Sequence, residues 1–153
     1  MKAVIQRVSR GKVSISGKSL CEISKGYAIL LGIALDDTEQ DARLLAEKTV
    51  NLRILADSNN KMNLSILQAE GEILVVSQFT LYADLTAGRR PSFLKSAKPP
   101  EALALYEKYI AELKKSGVKR VVSGEFGAYM DIELTNDGPV TIIMESGDFK
   151  KSS

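Results

Sequence analysis

Tyr27-Ala28-Ile29-Leu30-Leu31-Gly32-Ile33 is the stretch that decides the fold. Seven apolar residues without alternation read as a strand covered on both faces, because a half-exposed strand shows a polar residue at every second place. The run is far short of the ~18 residues of a membrane span, and no other apolar run reaches that length. Upstream, Val13 and Ile15 alternate with Ser14 and Ser16, the mark of a half-buried strand, with Gly11 and Gly17-Lys18 read as turns. At the start of the chain, Gln6 and Arg7 stand where a secretion signal needs apolar residues. Residues 1–7 therefore read as the first strand of a cytoplasmic protein. Downstream, Asp36-Asp37-Thr38 followed by Gln40 and Asp41 is a helix-start signal, and Ala42, Leu45, Thr49 and Leu52 recur at helical spacing as a narrow apolar stripe.

Further along, 57–61 is a turn-rich loop, and Ile73-Leu74-Val75-Val76 is a second buried strand running straight into Ser77-Gln78-Phe79-Thr80. Residues 83–100 are irregular and carry Gly88-Arg89-Arg90-Pro91; a loop of that length inside a compact domain is more often functional or flexible than idle. Pro99-Pro100-Glu101 opens a second helix, with proline where its missing N–H costs nothing. Leu103, Tyr106, Ile110 and Leu113 line its core face, Tyr106 and Tyr109 read as core and rim residues, and Gly117 stops it. Three strand-like runs follow, 118–122, 129–134 and 140–145. Asn136-Asp137-Gly138-Pro139-Val140-Thr141 is read as a turn between the last two. The pattern predicts one α+β domain over 1–153, with a mostly antiparallel, curved, barrel-like sheet and two main helices. From about residue 148 the chain is expected to be a disordered tail.

Composition narrows the chemistry. There is no histidine and a single cysteine, which nearly excludes a zinc site and leaves carboxylates alone for a hard cation. No metal and no cofactor are expected. Cys21 has no partner for an internal disulfide and reads as a small buried apolar residue of a strand. The net charge of +2 permits an RNA partner without arguing for one.

Three places carry candidate chemistry. Ser77-Gln78-Phe79-Thr80 ends a buried strand, where rigid scaffolds hand polar groups to clefts, although the four residues alone read more readily as a strand leaving the core into a turn. Thr80 as a nucleophile needs an adjacent base, and only lysines or carboxylates are on offer. Gly138-Pro139 is locally a simple turn. If its peptide were cis, the flanking carbonyls would form an acceptor pair suited to an amino group. Arg89, Arg90, Lys95 and Lys98 surround Phe93 in the long loop, a combination that suits phosphate contact and base stacking as well as it suits a solvated loop.

Taken together, Val75-Val76-Ser77-Gln78-Phe79-Thr80-Leu81-Tyr82 with Gly88-Arg89-Arg90-Pro91-Ser92-Phe93 closely resembles the first motif of the D-aminoacyl-tRNA deacylases. Phe126-Gly127-Ala128-Tyr129-Met130 and Asn136-Asp137-Gly138-Pro139-Val140-Thr141 resemble the second. Residues 1–8 and Lys61-Met62-Asn63-Leu64-Ser65 are also similar to that family. The resemblance implies hydrolysis of the ester that joins a D-amino acid to the 3′-terminal adenosine of tRNA, and removal of glycine from tRNA. It implies a homodimer with active sites at the interface, the tRNA 3′ end as partner, and no membrane. Ser77, Gln78 and Met130 would bind substrate, and Phe79 and Thr80 would supply backbone N–H groups to the ester oxygen. Gly138 and Pro139, a Gly-cisPro motif, would reach in from the other subunit to hold the α-amino group and reject an L side chain. The terminal 2′-OH would help to activate water, and Arg89, Arg90, Lys95 and Lys98 would bind the tRNA. Rival readings are a related proofreading module with different pocket motifs, a non-catalytic RNA-binding module and a small-molecule esterase.

Overall fold

The computed structural model describes residues 1–150. In chain order the elements are β1 (Lys2–Ile15), β2 (Lys18–Ile23), β3 (Gly26–Gly32), α1 (Glu39–Asn51), β4 (Leu55–Ala56), β5 (Met62–Leu64), β6 (Glu72–Ser77), a 3-10 helix (Phe79–Tyr82), α2 (Glu101–Lys115), β7 (Arg120–Ser123), β8 (Asp131–Glu145) and a final 3-10 turn (Ser146–Phe149). The sheet is mixed. β1 pairs antiparallel with β2, β3 and β8, whereas β3–β6 and β6–β7 are parallel. β1 gives one edge to β3 along its first half and to β2 along its second. Cys21 Sγ donates to the Ser123 carbonyl at 3.4 Å, and Arg120 Nη1 donates to the Glu22 carbonyl, so β2 meets β7 and the sheet nearly closes into a barrel.

That closure explains the unbroken apolar run. Tyr27, Ile29 and Leu31 face the large core shared with both helices, while Ala28 faces a second, smaller core with Val8, Val13, Ile23, Leu74 and Val76. β6 divides in the same way, Ile73 and Val75 toward the helices, Leu74 and Val76 toward the barrel interior. Both central strands are dry on both faces, so neither shows alternation. The helices meet over buried Thr49 and Tyr109, whose hydroxyls hydrogen-bond at 2.8 Å.

Four expectations need correction. Gly11 is not a turn: it lies inside β1, where a Cβ would already stand 3.3 Å from Ile23 and 3.4 Å from Leu74 and Leu134. Tyr109 is core rather than rim, with no exposed surface. The tail is ordered through residue 150, because the turn at 146–149 carries Lys150 onto Asp41 at 2.8 Å; residues 151–153 of that expected tail lie outside the described residues. Finally, 136–141 is no hairpin turn. Residues 131–136 and 141–145 are parts of one strand, β8, and both pair with β1. Asn136 faces Val8 and Thr141 faces Gln6, so four residues, 137–140, stand opposite Arg7 alone. This is a large bulge. A hairpin would have needed the two halves to pair with each other, and the length of β1 lets it serve both.

Asp41, at the start of α1, is fully buried. Burial alone would raise its pKa, but Lys150 (2.8 Å), Ser146 Oγ (2.7 Å) and the Thr38 hydroxyl and N–H (2.8 and 3.0 Å) outweigh it and hold the carboxyl well below the usual range. A depressed folded-state pKa stabilises fully above the unfolded value of about 3.9 and is lost as pH falls through the folded value. Urea unfolding as a function of pH is expected to show stability falling below about pH 4, with a shallower acid slope in Asp41→Asn. An unchanged slope in that variant would remove Asp41 from the acid response.

Candidate active site

At the end of β6 the Gln78 N–H still donates to the Leu31 carbonyl at 2.8 Å, and the chain then winds into the 3-10 helix 79–82. Gly32 of β3 makes room for that winding: a Cβ there would lie 3.0 Å from Leu81 Cβ and 3.2 Å from the Gln78 carbonyl oxygen. The first N–H groups of any helix lack intrahelical acceptors. Among the described residues, the N–H groups of Phe79 and Thr80 find no backbone acceptor. Thr80 Oγ1 accepts a hydrogen bond from Gln78 Nε2, so the group beside this hydroxyl is an amide donor, not a base.

A cleft of 510 Å³ opens at this strand end. One wall is Val76, Ser77, Gln78 and Phe79; Phe93 and Lys98 come from the long loop, and Phe126 to Met130 close the far side. The rings of Phe79 and Phe93 meet edge to face, with centroids 5.0 Å apart. Met130 packs so closely over Gly124 that a Cβ there would sit 2.6 Å from its sulfur. Tyr129 stands at the rim with 93% of its surface exposed, and Lys98 is the one charged side chain among the described lining residues.

The structure therefore brings Ser77, Gln78, Phe79, Met130 and Lys98 to one cleft. Thr80 is exposed just outside its lining, and Gly138 and Pro139 do not line it at all. They lie exposed on the β8 bulge, where the Gly138-Pro139 peptide is cis, as is Pro99-Pro100. Arg89 and Arg90 are exposed in the long loop and have no carboxylate partner among the described residues. Lys95 differs, because it pairs with Asp84 at 2.9 Å. Asp84 also accepts from the Thr86 hydroxyl and N–H, and these bonds, followed by Lys95, hold its carboxyl low. Lys95 thus braces the loop through a carboxylate and is less free for phosphate than its neighbours.

Sequence reasoning missed Arg7. From β1 its Nε donates to the Asp137 carbonyl at 2.9 Å and lies 3.3 Å from the Asp137 carboxylate, while Nη1 donates to the Ile54 carbonyl at 2.8 Å. Its guanidinium is mostly buried, and Gln6 Nε2 beside it donates to Asn136 Oδ1 at 2.9 Å. The bulge is thereby held at its N-terminal side from β1. No signal in the chain singles it out: β1 also carries Lys2, Arg10 and Lys12, and only burial, which demands a partner, distinguishes Arg7 from them.

Fold and cleft define a class first: a small α+β domain whose cleft adjoins two backbone N–H groups without backbone acceptors among the described residues, in a chain that has no histidine. The chain belongs to the D-Tyr-tRNA(Tyr) deacylase family, whose sequence profile matches residues 4–145. It is similar to the D-aminoacyl-tRNA deacylase of Thermosipho africanus, 51% identical over 146 residues, with 95% of this chain and 97% of that protein covered. The D-aminoacyl-tRNA deacylase of Dehalococcoides mccartyi strain CBDB1 is 53% identical over 148 residues, with 97% and 96% covered. Among solved structures, the c-Myc DNA Unwinding Element Binding Protein superposes with a TM-score of 0.90 at 38% identity, covering 95% of this chain and 98% of that one. Among the described residues no helix is long and apolar enough to cross a membrane.

Proposed function

We propose that this protein hydrolyses the ester of D-aminoacyl-tRNA, and of glycyl-tRNA, releasing the free amino acid and tRNA in the cytoplasm. The observation that carries the reading is the end of β6, where two free N–H groups adjoin an apolar cleft and the Thr80 hydroxyl faces an amide donor. The Phe79 and Thr80 N–H groups stabilise the developing oxyanion. Ser77, Gln78 and Met130 shape the pocket, and the terminal 2′-OH assists the attacking water. The Gly138-Pro139 carbonyls hold the α-amino group so that an L side chain meets backbone. Because 138–139 stand outside the cleft of their own chain, the site is completed in a homodimer, the bulge of one subunit entering the cleft of the other. A filter built from main chain is blind to side-chain identity, and a steric clash of several kcal/mol exceeds the ~1–3 kcal/mol of a methylene-sized preference.

The test is release of D-Tyr from D-Tyr-tRNA at substoichiometric protein, with L-Tyr-tRNA left intact. An RNA-binding module would release nothing, and a general esterase would turn over aryl esters without RNA. Thr80→Ala is expected to keep kcat within about threefold, since a hydroxyl without a base is a weak nucleophile; a dead variant with intact fold and tRNA binding would falsify backbone catalysis. Arg89, Arg90 and Lys98 contact phosphate, so affinity for tRNA falls as salt rises. Arg89→Ala is expected to lower the salt slope by about one counterion, measured by filter binding across salt concentrations; an unchanged slope would place the RNA elsewhere.

A further inference from the structure

Phe126 lines two recesses. One is the cleft described above; the other is a groove of 360 Å³ between α2 and the end of β7. Tyr106 holds the partition between them. Its ring lies 5.5 Å from that of Phe126, and its hydroxyl donates to the Val75 carbonyl at 2.9 Å. The groove's apolar surface comes from Leu103 and Ile110, its polar backbone from Ser123 and Gly124, and its charged side chains are Glu107 and Lys114. Lys114, Lys115 and Lys119 have no carboxylate partner among the described residues, whereas Lys108, nearly two turns back from Lys114, is bound by Glu39 and Glu112 at 3.3 Å. The groove therefore offers an apolar face from Leu103 and Ile110, a carboxylate acceptor in Glu107 and an unpaired ammonium group in Lys114. A cytosine nucleotide fits that set: its base lies on aliphatic side chains, its exocyclic amine donates to a carboxylate, and its phosphate meets lysine.

We infer that this groove binds the nucleotide immediately 5′ of the terminal adenosine on the substrate RNA, and that it favours cytosine there. The inference rests on the proposed deacylase function and takes the terminal adenosine, whose ester is cleaved, to lie in the neighbouring cleft. Continuity across Phe126 and the unpaired positive charge are what commit the groove to the same RNA strand. If the lysines served only to complement the C-terminal end of α2, affinity would not depend on this nucleotide.

The test uses the intact protein and calorimetric titration with 5′-AMP, pCpA and pUpA. pCpA is expected to bind about tenfold more tightly than 5′-AMP, the size of one favourable base contact, with pUpA weaker than pCpA. Lys114→Ala is expected to remove most of the excess without changing 5′-AMP affinity, and Glu107→Gln to erase the preference of pCpA over pUpA. Equal affinity for 5′-AMP and pCpA, or an excess that survives both substitutions, overturns the groove while leaving the cleft in place. Failure of all three to bind overturns the groove and the adenosine placement together, and the D-Tyr release assay then shows whether the deacylase reading survives.

Discussion

Gly138→Ala is expected to lower kcat/KM on D-Tyr-tRNA by about 100-fold, the cost of misplacing a positioning group by about 1 Å, while the folded protein persists. Gly138 has φ +131°, and a Cβ on it would stand 3.0 Å from the Val140 N and Cγ2 and 3.3 Å from Arg7 Nη2. Such a Cβ must displace either the bulge or the guanidinium that holds it. The bulge is exposed and carries little of the core, so the stability cost stays within the ~1–3 kcal/mol of a strained residue. Arg7→Lys is expected to act in the same direction, because one ammonium does not reproduce the fork that spans the Ile54 and Asp137 carbonyls. Kinetics on D- and L-Tyr-tRNA together with urea unfolding separate the effects. Activity within about threefold of wild type, for a folded Gly138→Ala protein, would take the bulge out of the site.

Gly26→Ala is expected to be the most damaging single change to the fold. Gly26 opens β3 against Glu72 of β6, and a Cβ there would lie 1.8 Å from the Glu72 carbonyl oxygen and 2.7 Å from its nitrogen. Both neighbours are backbone, and the adjoining Glu72 N–H is already bonded to the Lys25 carbonyl at 3.0 Å. Relief requires parting β3 from β6 at the start of the parallel ladder. The expected loss is about 4 kcal/mol or more, a large share of the ~5–15 kcal/mol that holds a domain folded. Gly17→Ala is the control: at φ +77° nothing lies within 4 Å of the added carbon, so only the ~1–2 kcal/mol of left-handed backbone is lost. Equal urea midpoints for the two variants would contradict the close approach at Gly26.

These two glycines differ in how far the chain reveals them. Gly26 sits just before the run 27–33 and looks like an ordinary strand boundary; only the parallel partner brought up from 72–77 makes it indispensable. Gly138 was visible, but as part of a turn. The turn reading followed from local statistics, which register a Gly-Pro step and two flanking strand-like runs and nothing of β1. Arg7 was legible only as a first-strand residue, because its partners at 54 and 137 lie 47 and 130 positions away.

What the sequence determined by itself is what depends on neighbours in the chain: the doubly covered strands at 27–33 and 73–76, the two helices with their start signals, the absence of a histidine base, and the motifs that point to one family. Tertiary structure alone decided which strands run parallel, that Gly11 lies inside a strand, and that Lys95 is bound to Asp84. It also decided that 137–140 form a bulge fastened by Arg7 and exposed outside the cleft of their own chain. Periodicity and turn chemistry are short-range effects, encoded within a few residues. Ladder partners and side-chain hydrogen bonds across 47 to 130 residues are chosen by how two buried cores close around a barrel, and no single stretch of sequence carries that choice.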